Sequence, residues 1–105
     1  MNFTIGPRNW VIEEVTLDWF QKNVDSADVH GWTCEETATI YIVIPKKGWK
    51  DPLFKDLIQK HEIIHAMLYG LGITDHNEQL IDGLAHMWLQ YEQTVVVNDE
   101  PKQVL

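Results

Sequence analysis

A chain of 105 residues, 45% of them hydrophobic, is enough for one domain with one modest core. Sixteen acidic against eight basic residues leave a net charge of −8, which argues against nucleic-acid partners and against docking on anionic lipid. A single cysteine, Cys34, excludes an internal disulfide, and no apolar run approaches the roughly 20 residues that span a bilayer.

Residues 1–8 lack the long apolar core of a signal peptide, so a cytoplasmic protein is expected. Residues 3–5 and 10–15 flank a turn-forming Gly6-Pro7-Arg8-Asn9 and predict a hairpin. Thr16 is placed to cap a short helix over residues 17–23. A second hairpin is predicted from residues 31–34, a polar Glu35-Glu36 turn, and residues 38–44. The last run is the richest in β-branched and aromatic residues, and Pro45-Lys46-Lys47-Gly48 ends it. The five tryptophans read as large core or rim side chains.

The second half changes period. Asp51 and Pro52 form an N-cap and first-turn pair. Leu53, Phe54, Leu57, Ile58, Ile64, Leu68 and Leu71 then recur at helical spacing, and Gly70 and Gly72 stop the helix. Residues 63–69 are apolar on nearly every side apart from His65, which predicts a buried helix. A second helix is predicted to start near Asp75 or Asn77, with Leu80, Ile81, Leu84, Ala85, Trp88 and Leu89 facing inward. The sequence thus predicts a single α+β domain. Residues 1–50 form a β-rich half, a short and mostly antiparallel sheet, packed on the helices of residues 51–93. Residues 94–105 are a tail, either a short strand or a frayed end.

Within the first long helix stands His61-Glu62-Ile63-Ile64-His65. Histidines four apart on a helix share a face and can meet one zinc ion, with the intervening glutamate as general base. Five histidines and eight glutamates in 105 residues yield this pattern by chance about 2% of the time. Two histidines and a glutamate in an apolar segment are also costly unless paired or metal-bound.

A catalytic zinc takes three protein ligands and keeps a place for water. Asp75, His76, Glu78 and His86 compete for the third position. Glu78 and Asp82 share a face of the second helix, so Glu78 can ligate while Asp82 accepts a hydrogen bond from a ligand histidine. Bland readings stand beside these: Asp75 and Glu78 fit a capping box, and Asp82 a solvated helix position. His76 and His30 read as exposed without an evident partner, and Cys34 as a small buried thiol.

The metzincin continuation is missing, since Leu68 and Leu71 stand where its glycine and third histidine would fall. H-E-x-x-H followed by Asn77-Glu78 and Asp82, an N-E-x-x-x-D segment, instead resembles the gluzincin zinc metallopeptidases, of which thermolysin is the familiar member. The resemblance implies His61, His65 and Glu78 as zinc ligands, Glu62 as catalytic base, and Asp82 behind a ligand histidine. With only twelve residues between His65 and Glu78, the chain is more similar to minimal gluzincins and to small metallopeptidase-like proteins of tailed bacteriophages.

The implied activity is hydrolysis of a peptide or protein substrate by a zinc-activated water, with Glu62 taking the proton. His86, Tyr69 and Tyr91 are candidate transition-state donors, and no counterpart of the large enzymes' distant oxyanion-stabilising histidine can be assigned. Residues 37–44 are the expected edge strand for pairing with extended substrate. A non-catalytic zinc-binding interaction module and a zinc amidohydrolase acting on a non-peptide amide remain open alternatives.

Overall fold

A computed structural model describes residues 1–26 and 28–96. Strands β1 (Asn2–Ile5) and β2 (Arg8–Thr16) pair antiparallel, with Ile5 opposite Arg8. The connection is therefore the two residues Gly6-Pro7, tighter than the four-residue turn predicted. Gly6 makes it possible by adopting φ 58°, a left-handed conformation that costs glycine little. Alternation along β2 buries Trp10 and Ile12 and turns Val11 and Glu13 outward.

Helix α1 (Leu17–Asn23) starts where the Thr16 hydroxyl accepts the Trp19 N–H at 3.1 Å, and it buries Phe20. Strands β3 (Gly31–Cys34) and β4 (Thr39–Ile44) follow as an antiparallel pair. The sheet order is β1-β2-β4-β3, and β4 lies parallel to β2 with Val11 opposite Thr39. The sheet is thus mixed, antiparallel in two of its three pairings.

This order corrects one expectation directly. Residues 37–44 do not supply an edge: β4 is hydrogen-bonded on both sides, and Ile40 and Ile42 are fully buried. The continuous β-branched run that made it the strongest strand signal is what a strand flanked on both sides requires. The edge strands are β1 and β3, and it is β3 that lies against α2.

Helix α2 (Pro52–Gly70) begins at Asp51, whose carboxylate accepts the Leu53 N–H at 3.0 Å. One face lays Ile58 and Ala66 against Trp10, Ile12, Ile40 and Ile42. Helix α3 (Glu78–Thr94) begins at Asn77, which accepts the Leu80 N–H at 3.0 Å. It packs on α2 and not on the sheet, through Ile81 and Ala85 against Ile64, with Leu57, Leu68 and Trp88 alongside. Helix α2 is therefore shared between two small cores. It is less enclosed than predicted, because Leu53, Phe54 and Met67 are exposed; on α3 Leu80 and Leu84 are exposed too, so its inward stripe is narrower. With only one neighbouring helix, a narrow seam suffices.

Lys60 clasps the two helices. Its ammonium is nearly inaccessible, 2.6 Å from Asp56 and 2.8 Å from Glu92, and lies over the Trp88 ring. Trp10 is buried, Trp49 and Trp88 are half-buried, and Trp19 and Trp32 are exposed. Thr94 ends α3 and Val95 caps it. Residues 97–105 of the expected tail lie outside the described residues. No described helix is long and apolar enough to cross a membrane.

Candidate metal centre

One helical turn places His61 and His65 side by side on α2, with ring centroids 5.2 Å apart. The Asn77 cap starts α3 so that Glu78, in its first turn, faces both rings. Nε2 of His61 lies 3.0 Å from Glu78 Oε2, and Nε2 of His65 lies 3.2 Å from Glu78 Oε1. One ligand atom from each residue falls within 4.8 Å of the others. Two imidazole nitrogens and a carboxylate oxygen, with a side left open to a cleft, match the donor set of a three-protein-ligand zinc site. Glu78 is not the far member of a capping box begun by Asp75, since Asn77 caps the helix. Among Asp75, His76, Glu78 and His86, only Glu78 joins the cluster.

The outward nitrogens of the two histidines have different neighbours. His61 Nδ1 is 3.7 Å from Asp82 Oδ1, adjacent but beyond hydrogen-bond range. His65 Nδ1 is 2.7 Å from Nδ1 of His76, whose Nε2 lies 2.7 Å from the Ile73 carbonyl oxygen. The His76 ring stacks on His65 at 27° and leans on Tyr69, with centroids 4.4 Å apart. His76 is thus half-buried and partnered, contrary to the exposed, unpartnered turn residue expected. A signal existed in the short span between Gly72 and Asn77, which cannot carry a side chain far from the end of α2.

Glu62 points from α2 towards the sheet and is buried. The Thr33 hydroxyl lies 2.9 Å from its Oε2 and 3.0 Å from its backbone carbonyl oxygen. Gly31 permits this approach: a Cβ there would stand 3.2 Å from Glu62 Cγ and 3.0 Å from the Tyr41 carbonyl oxygen. Burial pushes the Glu62 carboxyl up to about 8, reinforced by the negative charges of Asp28 and Glu78 and opposed by Thr33. Burial also lowers His65, against the pull of Glu78, and favours the neutral imidazole that a metal binds.

Two clefts meet at Glu62 and Asp28, which line both. One, of about 270 Å³, is lined further by Trp32, Thr33, His65, Tyr69 and His76. The other, of about 170 Å³, is more apolar and is walled by His30, Gly31, Phe54, Leu57 and Ile58 beside His61. Neither has a lysine or arginine among its described lining residues. Gly31, Trp32 and Thr33 of the free β3 edge border them, the place expected for residues 37–44.

Of the three candidate donors, Tyr69 alone lines a cleft. His86 bonds the Asp82 carbonyl of its own helix at 2.8 Å and is exposed, and Tyr91 is 64% exposed. Neither lines the two clefts, although His86 lies one turn beyond Asp82, which borders the smaller one, with its Nδ1 3.7 Å from Asp82 Oδ2. Cys34 is half-buried, and His30, unpartnered in the sequence reading, meets Phe54 edge-on with centroids 5.4 Å apart.

Compared with known proteins, the chain matches no family model, no curated protein and no solved structure.

Proposed function

We propose that this chain is a zinc-dependent peptidase of gluzincin type, acting on extended peptide in the cytoplasm. The observation that carries the proposal is the convergence of His61 Nε2, His65 Nε2 and the Glu78 carboxylate beside a buried Glu62, at the meeting point of two clefts. Zinc held there supplies an acidified water and a positive charge for the developing oxyanion. Glu62 takes the proton as the carbonyl is attacked and returns it to the leaving amine, completing hydrolysis of the amide. A positive ion held beside Glu62 would oppose the burial that raises its carboxyl, favouring the ionised form that accepts a proton. Tyr69 is the donor placed to act on substrate in the larger cleft.

The β3 edge offers unpaired backbone along the clefts, so substrate adds as a strand and is held through its main chain. The absence of Lys and Arg from the cleft walls disfavours acidic substrates.

Metal analysis of untagged protein, paired with hydrolysis of an unfolded protein by wild type and Glu62→Gln, tests the proposal. One zinc per chain in both, with turnover only in wild type, is expected. Zinc without wild-type turnover on peptides overturns the peptidase reading. It then favours the zinc-binding interaction module, or an amidohydrolase if a non-peptide amide is cleaved. A chain that takes up no zinc overturns the whole proposal.

A further inference from the structure

Three short contacts in series end on one ligand. The Ile73 carbonyl oxygen lies 2.7 Å from His76 Nε2, and His76 Nδ1 lies 2.7 Å from His65 Nδ1. Across the ring, His65 Nε2 faces Glu78. A carbonyl oxygen can only accept, so His76 Nε2 carries the hydrogen. In a neutral imidazole the other nitrogen is then a bare acceptor. The partner at 2.7 Å must donate, which puts a hydrogen on His65 Nδ1 and leaves Nε2, 3.2 Å from the Glu78 carboxylate, as the nitrogen turned to the candidate metal position. From His65 to the Ile73 carbonyl the bonds run in one direction.

We infer that His76 is a positioning residue: by accepting from Nδ1 it fixes the His65 ring with Nε2 turned to Glu78 and the metal position, so that His65 meets zinc through Nε2 without exchanging the roles of its two nitrogens. The inference rests on the zinc reading above. A ligand histidine generally has its remote N–H held by a carboxylate, carbonyl or water. Here another imidazole does it, anchored at its far side by backbone and leaning on Tyr69 at 50°. The anchor matters, because a histidine free to rotate could present either nitrogen and select nothing. His61 has no such device, since its Nδ1 and Asp82 are 3.7 Å apart. The two histidines of the motif are therefore prepared unequally: His65 is fixed before the metal arrives, and His61 is fixed by the metal.

The test uses two readouts on the full chain. Imidazole ¹⁵N–¹H correlation spectra of zinc-free protein report the tautomer of each histidine, and chelator competition reports zinc affinity. Wild type should show His65 protonated at Nδ1 and His76 at Nε2. H76F keeps a ring against Tyr69 but cannot accept, so His65 should redistribute towards its Nε2–H tautomer. Zinc affinity should then fall by roughly 10–100-fold. H76Q, whose amide oxygen can accept from Nδ1, should recover most of that loss.

A wild-type spectrum with His65 unprotonated at Nδ1 overturns the inference, as does an H76F affinity equal to wild type. If both variants lose zinc as completely as H61A, His76 is a ligand and not a positioning residue. Should the chain bind no zinc at all, the peptidase proposal falls, while the tautomer spectra still decide the role of His76. They also decide it if H76F fails to fold.

Discussion

Glu78 Oε2 stands 3.0 Å from His61 Nε2 across a sequence separation of 17 residues, and this contact joins the N-terminus of α3 to the middle of α2. Glu78 is the residue on which the proposed three-ligand site depends. Glu78→Ala should weaken zinc binding more than the roughly 10–100-fold lost with an outer-sphere partner. Asp82→Asn, at 3.7 Å from His61, should cost no more than that lower bound of about tenfold. Titration against a chromogenic zinc chelator gives both numbers.

Glu62→Gln replaces the proposed base by an isostere that cannot take a proton. Peptide hydrolysis should fall by about 10²–10⁴-fold while zinc content and circular dichroism stay unchanged. Steady-state kinetics on a quenched-fluorescence peptide, with zinc quantified in the same samples, checks this.

The same carboxyl makes the zinc-free fold sensitive to pH. Its folded value is about 8 against an ordinary 4.5, so between these the folded state holds a proton that the unfolded chain has lost. Stability contributed by the neutral carboxyl is complete below 4.5 and declines as pH rises towards 8, by at most about 1.4 kcal/mol per pH unit. Urea unfolding in chelator at pH 5, 6 and 7 should show the decline in wild type and a flatter profile in Glu62→Gln. Equal slopes would assign the pH dependence elsewhere.

Gly31→Ala inserts a methyl 3.0 Å from the Tyr41 carbonyl oxygen and 3.2 Å from Glu62 Cγ. Overpacking of this kind costs about 1–3 kcal/mol. Because the displaced partner is Glu62, turnover should fall along with stability, whereas Gly83→Ala, which meets nothing within 4 Å, should not reduce either. Parallel denaturation and activity measurements on the two variants separate them.

Lys60 holds α3 to α2 through Glu92 and the Trp88 ring, and is paired within its own helix to Asp56. Lys60→Ala leaves two carboxylates facing each other and a gap beside Trp88, and should cost about 2–4 kcal/mol. Lys60→Met restores the stem and should recover part of it, as read from denaturant midpoints.

Much of this was legible in the sequence. Local chemistry was clearest: Thr16, Asp51 and the Pro52 start of α2 are determined by neighbours one to three residues away. The motif placed His61, Glu62 and His65 because helical spacing needs no tertiary information, and Glu78 followed from its spacing to Asp82. Sheet order was not legible. The parallel pairing of β2 with β4 joins residues separated by α1 and β3, and the β-branched run of residues 38–44 marks a buried strand without naming its two neighbours. His76 escaped for a related reason: its partners, Ile73 carbonyl and His65, are set by how the turn folds back on α2. His86 and Tyr91 were chosen by residue type, and the rotation of α3 decided against them.

Only four residues, Gly31 to Cys34, make up the exposed sheet margin along the clefts. So short a margin forms few main-chain bonds and retains a guest weakly by itself. A polypeptide already folded has its own strands paired and cannot donate one, whereas a chain that has come undone could lie along β3 beside the proposed metal site. Under the proposed activity the enzyme would therefore discriminate by conformational state more than by sequence. Intact neighbours would be spared and loosened segments cut, with no separate recognition domain required.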